Sequence, residues 1–377
     1  MKTGFDGVFG VNSPLIIFSA LAAVIVILGF AAPLGGFCTY IERRVAAGFQ
    51  ERIGPNRVGP AGLFQMFSDI LKLLLKEDTI TKNADRVIFA LAPSLVLVGS
   101  LGAFATIPFT SNVLGADLDI GIFWAMALGS IVSLGVLLGA WSSDNKWSLL
   151  GGMRGAAQIV SFEIPLGIAI LSAITVTGTL SMHGIVKGQA WITSGGGFWN
   201  IIHNPFLFIN FFVYFIASLA ECNRVPFDLP EAESELVSGF NTEFSGFRYA
   251  LYMLGEFCDI ILFASLATAV FLGGWQLPFV NLAEIHVPLA IAGMNISPLV
   301  QTLLMMGVFL AKMAAIIFVV MWLRWTLPRL RVDQLMAVCW KYLIPISFFN
   351  LLGSALWVWL FKGQSILQLV WAWTGVN

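Results

Sequence analysis

Charge is what this chain lacks most. Of its 377 residues only 11% are Asp, Glu, Lys or Arg, against about 25% in soluble domains, while 58% are hydrophobic. A soluble fold of this size needs far more polar surface to stay dispersed, so the deficit excludes one and points to a polytopic membrane protein. No excess of either sign exists: 20 basic residues face 21 acidic ones. With no basic stripe among aromatics, nucleic-acid binding is excluded as well. Cysteine is sparse, and Cys38, Cys222, Cys258 and Cys339 form no CxxC pair. That spacing argues against an iron–sulfur cluster, a zinc site or a disulfide framework. No internal repeat or inverted duplication is visible, which weakens a reading as a repeat-built transporter.

What is present is long apolar sequence. A bilayer core of about 30 Å needs roughly 20 apolar residues per helix. Eight stretches qualify, near 14–38, 87–109, 121–141, 156–178, 204–221, 247–274, 298–323 and 338–361. The fold class expected is therefore all-α, eight membrane helices in a single membrane domain over 1–377. The first stretch is too long for a cleaved signal peptide and is read as a true span. Sixteen of the 20 Lys and Arg residues fall in the loops after spans one, three, five and seven. Positive loops stay cytoplasmic, so both termini are expected on the opposite side. The cytoplasmic loops carry dense, mixed-sign charge, as expected of a large partner surface.

Within the first of these loops, Pro60 suits the first position of a helix, and Leu63 to Lys76 reads as amphipathic. Gln65, Asp69, Lys72 and Lys76 form one polar stripe against an apolar remainder. A helix over 60–76 is about 25 Å long, and its polar stripe argues against a crossing. It is expected in the membrane interface, the competing reading being a cytoplasmic helix packed on another protein chain.

Acids inside spans cost on the order of 2.5–3.5 kcal/mol each and require a reason. Glu163 lies two residues before Pro165, which frees a backbone carbonyl and loosens span four. Glu221 ends span five. Glu256 and Asp259, three apart, share a face of span six. Lys312 sits in the middle of span seven, where it is a candidate counter-ion. The densest cluster is residues 221–248, with Glu221, Asp228, Glu231, Glu233, Glu235 and Glu243 against only Arg224 and Arg248. Glu231 and Glu235, four apart, can line one helical face while Glu233 points elsewhere. Metal binding competes as a reading, but acids without histidine suit only calcium or magnesium, and weakly. A proton relay or polar funnel is favoured.

Five segments are specific enough to carry a resemblance: YIERR (40–44), RIGPNRVGPAGLFQMFSDILKLLLKED (52–78), SLLGGMRGAAQIVSFEIPL (148–166), AECNRVPFDLPEAESELVSGFNTEFSG (220–246) and LRWTLPRLRVDQLMAVCWK (323–341). Together they resemble the family of H subunits of the proton-pumping NADH:quinone oxidoreductase, respiratory complex I. A more distant similarity is to membrane subunits of energy-converting hydrogenases. The resemblance implies a place at the junction of the hydrophilic arm and the membrane arm, in a bacterial inner membrane. There the chain, with its hydrophilic neighbours on the cytoplasmic face, encloses a chamber for the quinone substrate. Glu42, Arg43, Asp69, Lys72, Arg224 and Asp228 match positions of that chamber and its mouth. Glu231, Glu233, Glu235 and Glu243 match the funnel from chamber to membrane, and Glu221, Glu163 and Glu256 its continuation toward small membrane and antiporter-like subunits. Arg154, Lys312, Arg324, Arg329 and Asp333 match further charged positions. Some members carry another acid on the third span; residues 121–141 contain none, so Ser130, Ser133 or water would stand in. The family places no flavin, iron–sulfur cluster or metal on this chain.

Two other classes fit the residues. A stand-alone cation/proton transporter would also keep membrane acids but would be purified as a free monomer. A purely structural anchor would tolerate neutral residues at Glu163 and Glu256.

Overall fold

In a bilayer every backbone N–H and C=O must be satisfied within the segment, which helices alone accomplish for an open chain. The computed structural model describes residues 16–111, 113–189, 199–230, 233–278, 290–291, 294–295, 297–366 and 368–369, and helix dominates them. The long helices are α1 (Ile16–Phe49), α3 (Arg86–Ala103), α4 (Gly121–Ser142), α5 (Lys146–Thr177), α8 (Pro205–Glu221), α10 (Gly246–Val270), α11 (Ser297–Thr326) and the pair α12 (Val332–Ala337) and α13 (Ile344–Phe361). A π-helical turn, Val338–Leu343, joins that last pair without a break. Shorter helices are α2 (Gln65–Leu75), α6 (Met182–Gly188), α7 (Asn200–His203) and α9 (Glu233–Leu236). The exception is a two-residue antiparallel pair, Ala290–Ile291 with Met294–Asn295.

Each of the eight expected spans thus coincides with a long helix or, for the last, with α12 to α13. Among the described residues six helices are both long and apolar enough to cross a membrane, and α8, with 17 residues, is a shorter apolar one. The helix ends differ from the apolar limits for a consistent reason. α1 continues through Glu42, Arg43 and Arg44 to Phe49, because no Gly or Pro interrupts that run until Gly48. Its 34 residues reach about 51 Å at 1.5 Å each. α5 likewise starts ten residues before its apolar stretch, where the Asn145 side chain accepts from the Trp147 amide. Helices outlast the hydrocarbon, so the charged run Glu42 to Arg44 and the bases Lys146 and Arg154, read as loop, are helical.

The amphipathic segment starts later than the proline suggested. Pro60–Gly62 forms a 3-10 turn with Ala61 at φ 55°, and the α-helix begins at Gln65. Gly62 has φ 76°, and a Cβ there would sit 2.2 Å from the Pro55 carbonyl oxygen. The chain doubles back on itself too tightly for a continuous helix from Pro60.

α10 is the central element. Its residues from Phe257 to Val270 are all buried, and it packs on α1, α3 and α11. Small residues bring the neighbouring helices close: a Cβ on Gly139 of α4 would fall 2.0 Å from the Tyr252 hydroxyl of α10.

Candidate functional site

One turn of α1 organises the charged side of the molecule. Tyr40 and Arg44, four apart, share a face and grip the loop that carries GPNRVGPAG. Both the Tyr40 hydroxyl and the Arg44 guanidinium donate to the Ala61 carbonyl at 2.9 Å, and Arg44 donates to the Tyr40 oxygen at 2.7 Å. That grip fixes where α2 leaves the loop. Arg43, on another face, meets Asp69 of α2 at 2.6 Å, and Gln65 donates to the same carboxylate at 3.1 Å.

Between α1, α2 and α10 lies a cavity of about 550 Å³, lined by apolar residues such as Ala32, Met66, Ala250 and Leu254 together with Arg43, Asp69 and Lys72. Its size and composition, mostly apolar with a few convergent polar groups, suit one small organic ligand. None of the 11 residues of α2 is buried; Leu71 and Leu75 stand outside the cavity lining and are exposed.

Glu42 points the other way, into the protein, and is 7% exposed. Its carboxylate accepts from Arg224 at 3.2 and 3.3 Å and pairs with Arg324 of α11. Arg224 is itself buried and lies 4.6 Å from the Phe257 ring centroid. A buried carboxylate shared by two guanidiniums holds α1, α11 and the turn after α8 in one register, since removing any member would leave buried charge uncompensated. That turn, NRVPFDLPE, is clasped from two sides. Gln158 of α5 donates to the Ala220 and Phe227 carbonyls, both at 2.7 Å. Asp228 pairs with Arg329 at 3.0 Å, and the Leu330 amide donates to the Pro226 carbonyl at 3.0 Å.

Of the loop acids, Glu235 pairs with Arg154 of α5 at 2.7 Å, and Glu243 accepts from Asn145 at 2.6 Å. Glu231 lies outside the described residues, as does the side chain of Glu233. The acidic excess is thus partly neutralised by bases far away in sequence.

The membrane acids gather around the end of α8. Glu221 is 8% exposed, and its Oε2 has no hydrogen-bond partner among the described residues. Glu163 of α5 and Asp259 of α10 are close enough to act on it electrostatically; Glu256 acts in the same way on the adjoining Cys222. Ser130 of α4 donates to Glu163, and Ser100 of α3, whose hydroxyl donates to the Val96 carbonyl at 2.9 Å, lies beside Asp259. A Cβ on Gly129 would sit 3.4 Å from Glu221 Oε1, so successive residues of α4 touch two different acids. Pro165 has no amide to give to the Ser161 carbonyl four residues back, and the Cys339 thiol takes that carbonyl at 3.1 Å.

The structure departs from the sequence reading at Lys312, which is no counter-ion to these acids. Its ammonium is held by backbone carbonyls at the far end of α10. Sequence reasoning missed the Arg324 partner of Glu42 and left Asp259 out of the acid line, although its three-residue spacing from Glu256 was the available signal.

A sequence profile described as NADH dehydrogenase matches residues 21–355. The H subunit of the NADH-quinone oxidoreductase of Anaeromyxobacter dehalogenans is 46% identical over 347 residues, covering 91% of this chain and 82% of that protein. The H subunit of Chlorobaculum parvum is 44% identical over 348 residues, 91% of this chain and 92% of its own length. That of Brevibacillus brevis is 42% identical over 339 residues, 90% and 92% of the two chains.

Proposed function

We propose, since this chain belongs to the NADH dehydrogenase family as one of its NADH-quinone oxidoreductase H subunits, that it forms the membrane wall of a quinone chamber and couples quinone reduction to proton translocation. The observation that carries this reading is the cavity between α1, α2 and α10, which joins an apolar lining to Arg43, Asp69 and Lys72 beside the buried cluster of Glu42, Arg224 and Arg324. An isoprenoid tail suits the apolar wall, and the charged groups suit a polar headgroup and its protons. In this reading α2 lies in the membrane interface, with Leu71 and Leu75 toward lipid and Phe67 on the cavity wall, and the cavity is the route by which quinone arrives. Hydrophilic subunits dock on the charged face and complete the headgroup site. The membrane is a bacterial inner membrane, with the termini away from the cytoplasm.

Reduction of a quinone takes up two protons, so charge and proton demand change next to the NRVPFDLPE turn. The loop acids Glu231, Glu233, Glu235 and Glu243 pass that change to Glu221, Glu163 and Glu256, and from there to antiporter-like neighbours. Coupling of this kind is a free energy shared between two sites and requires a relay with two states. Ion pairs such as Glu235–Arg154 and Asp228–Arg329, partly exposed, are suited to open and reclose.

The test is Glu163→Gln and, separately, Glu221→Gln in the complete complex in membrane vesicles. Each is expected to lower proton translocation by about tenfold or more, the loss associated with one missing proton-transfer group, while assembly is retained. Wild-type rates of both quinone reduction and translocation would remove that residue from the relay.

A further inference from the structure

The carbonyl end of α10 lies inside the protein, at the opposite end of the helix from the acidic loop. A helix leaves its last four carbonyls without internal partners and ends in a partial negative charge. Three side chains from other elements meet this one. Gln189 donates to the Ala269 and Val270 carbonyls at 2.9 and 3.2 Å, and Asn200 donates to Val270 at 2.7 Å. Lys312, from the middle of α11, donates to the carbonyls of Leu272 and Gly274 at 2.7 and 2.8 Å and to that of Gln276.

The cage is built to hold a cation. Gly273 and Gly274 turn the chain at φ 72° and 55°, and a Cβ on either would strike a neighbour, Trp199 at 2.5 Å or Val186 at 2.7 Å. Only this tight turn aims alternate carbonyls at one nitrogen. The Trp199 ring closes another side, with its centroid 4.3 Å from the Lys312 nitrogen. An ammonium has three N–H donors and a neutral amine two, so three carbonyls on one nitrogen select the charged form. No ion pair of the described residues includes Lys312. His183, which packs against Trp275 beside the cage, is held below the usual histidine range by burial and by Lys187, against a smaller opposite pull from Asp117. Among the described residues, the ammonium at this end of α10 is therefore held by backbone carbonyl dipoles and forms no ion pair with an acid.

We propose that Lys312 is an electrostatic stop: a tethered cation that closes the bundle at the end opposite the acidic loop and keeps protons on Glu256 and Asp259 from leaving through this chain. Asp259 and the last residue of α10 are eleven positions apart, about 16 Å along the helix. A fixed positive charge at that depth, in a medium of low dielectric, repels a proton far more strongly than it would in water, as fixed cations do in pores that exclude protons. Protons are then turned sideways, toward neighbouring membrane subunits. The inference rests on the reading of Glu163, Glu221 and Glu256 as a proton line.

The experiment uses membrane vesicles containing the complete complex, with a pH gradient imposed across them and no quinone turning over. Lys312→Gln keeps amide donors for the carbonyls but removes the charge; Lys312→Arg keeps the charge. The gradient is expected to decay severalfold faster in Lys312→Gln and at the wild-type rate in Lys312→Arg. Lys312→His is expected to leak at pH 8, where the imidazole is neutral, and to be tight at pH 5.5. A tight Lys312→Gln complex overturns the proposal, as does a Lys312→His leak that is the same at both pH values. Failure of both variants to assemble while Lys312→Arg assembles makes the ammonium a folding cap, and overturns it too. Glu256→Gln tests the underlying line separately. If it leaves pumping unchanged, the line fails; if it stops pumping while Lys312→Gln is tight, only the stop fails.

Discussion

Glu163 owes its surroundings to two residues that no charge pattern marks. Ser130 donates to its carboxylate from α4, and Pro165, two positions on, leaves a carbonyl that Cys339 occupies. A hydroxyl both donates and accepts, so it can hand on a proton where a methyl cannot. α4 has no acid, but its Ser130 sits on Glu163 and its Gly129 faces Glu221. A hydrogen bond contributes about 0.5–1.5 kcal/mol net, up to roughly a tenfold change in a rate that depends on it. Ser130→Ala is accordingly expected to slow proton translocation by about tenfold while quinone reduction by the assembled complex stays near normal, and Ser130→Thr to restore it. Measuring protons moved per quinone reduced, across pH, separates this from a packing defect, which Thr would worsen. The acids themselves were legible in the sequence because lipid makes every one of them conspicuous. Their partners were not: Arg324 reaches Glu42 across 282 positions of chain, and nothing local to either residue announces it.

At the scale of elements, the existence of eight long helices followed from apolar length alone, and their ends did not. Hydropathy reports where lipid stops, whereas the helix stops where a cap or a glycine ends it, and α1 and α5 run on through charge. That overrun is what positions the site, since it carries Glu42, Arg43 and Arg44 on a rigid rod. The cavity was equally hidden, because it is the space left when α2 is held off α10 by the Tyr40 and Arg44 grip on Ala61. Its wall is testable. Ala250 lies on the α10 side of the cavity, half-buried, and Ala250→Trp would fill part of the 550 Å³ without touching a charged group. The expected result is a several-fold higher KM for a long-tailed quinone, with the kcat for a short-tailed analogue nearly unchanged. Equal effects on both substrates would place the quinone elsewhere.

At the scale of the whole molecule, scarce charge is divided by side. All six ion pairs among the described residues involve Arg43, Arg154, Arg224, Arg248, Arg324 or Arg329, bases from the four loops assigned to the cytoplasm. The opposite end of α10 has instead a caged Lys312. A face that is dense in partly exposed arginine–carboxylate pairs, on a body otherwise apolar, is suited to a hydrophilic partner held by charge. Such contacts are screened at high salt, where the Debye length falls to about 3 Å at 1 M, whereas buried pairs such as Glu42–Arg224 are screened far less. Raising salt to about 1 M in mild detergent is therefore expected to release hydrophilic subunits and abolish quinone reduction, leaving this chain folded among its membrane neighbours. Mass spectrometry of the bound and released fractions checks it. A chain that purifies alone at low salt, and moves cations when reconstituted alone, would instead be a free-standing transporter, because only an independent machine needs no docking face.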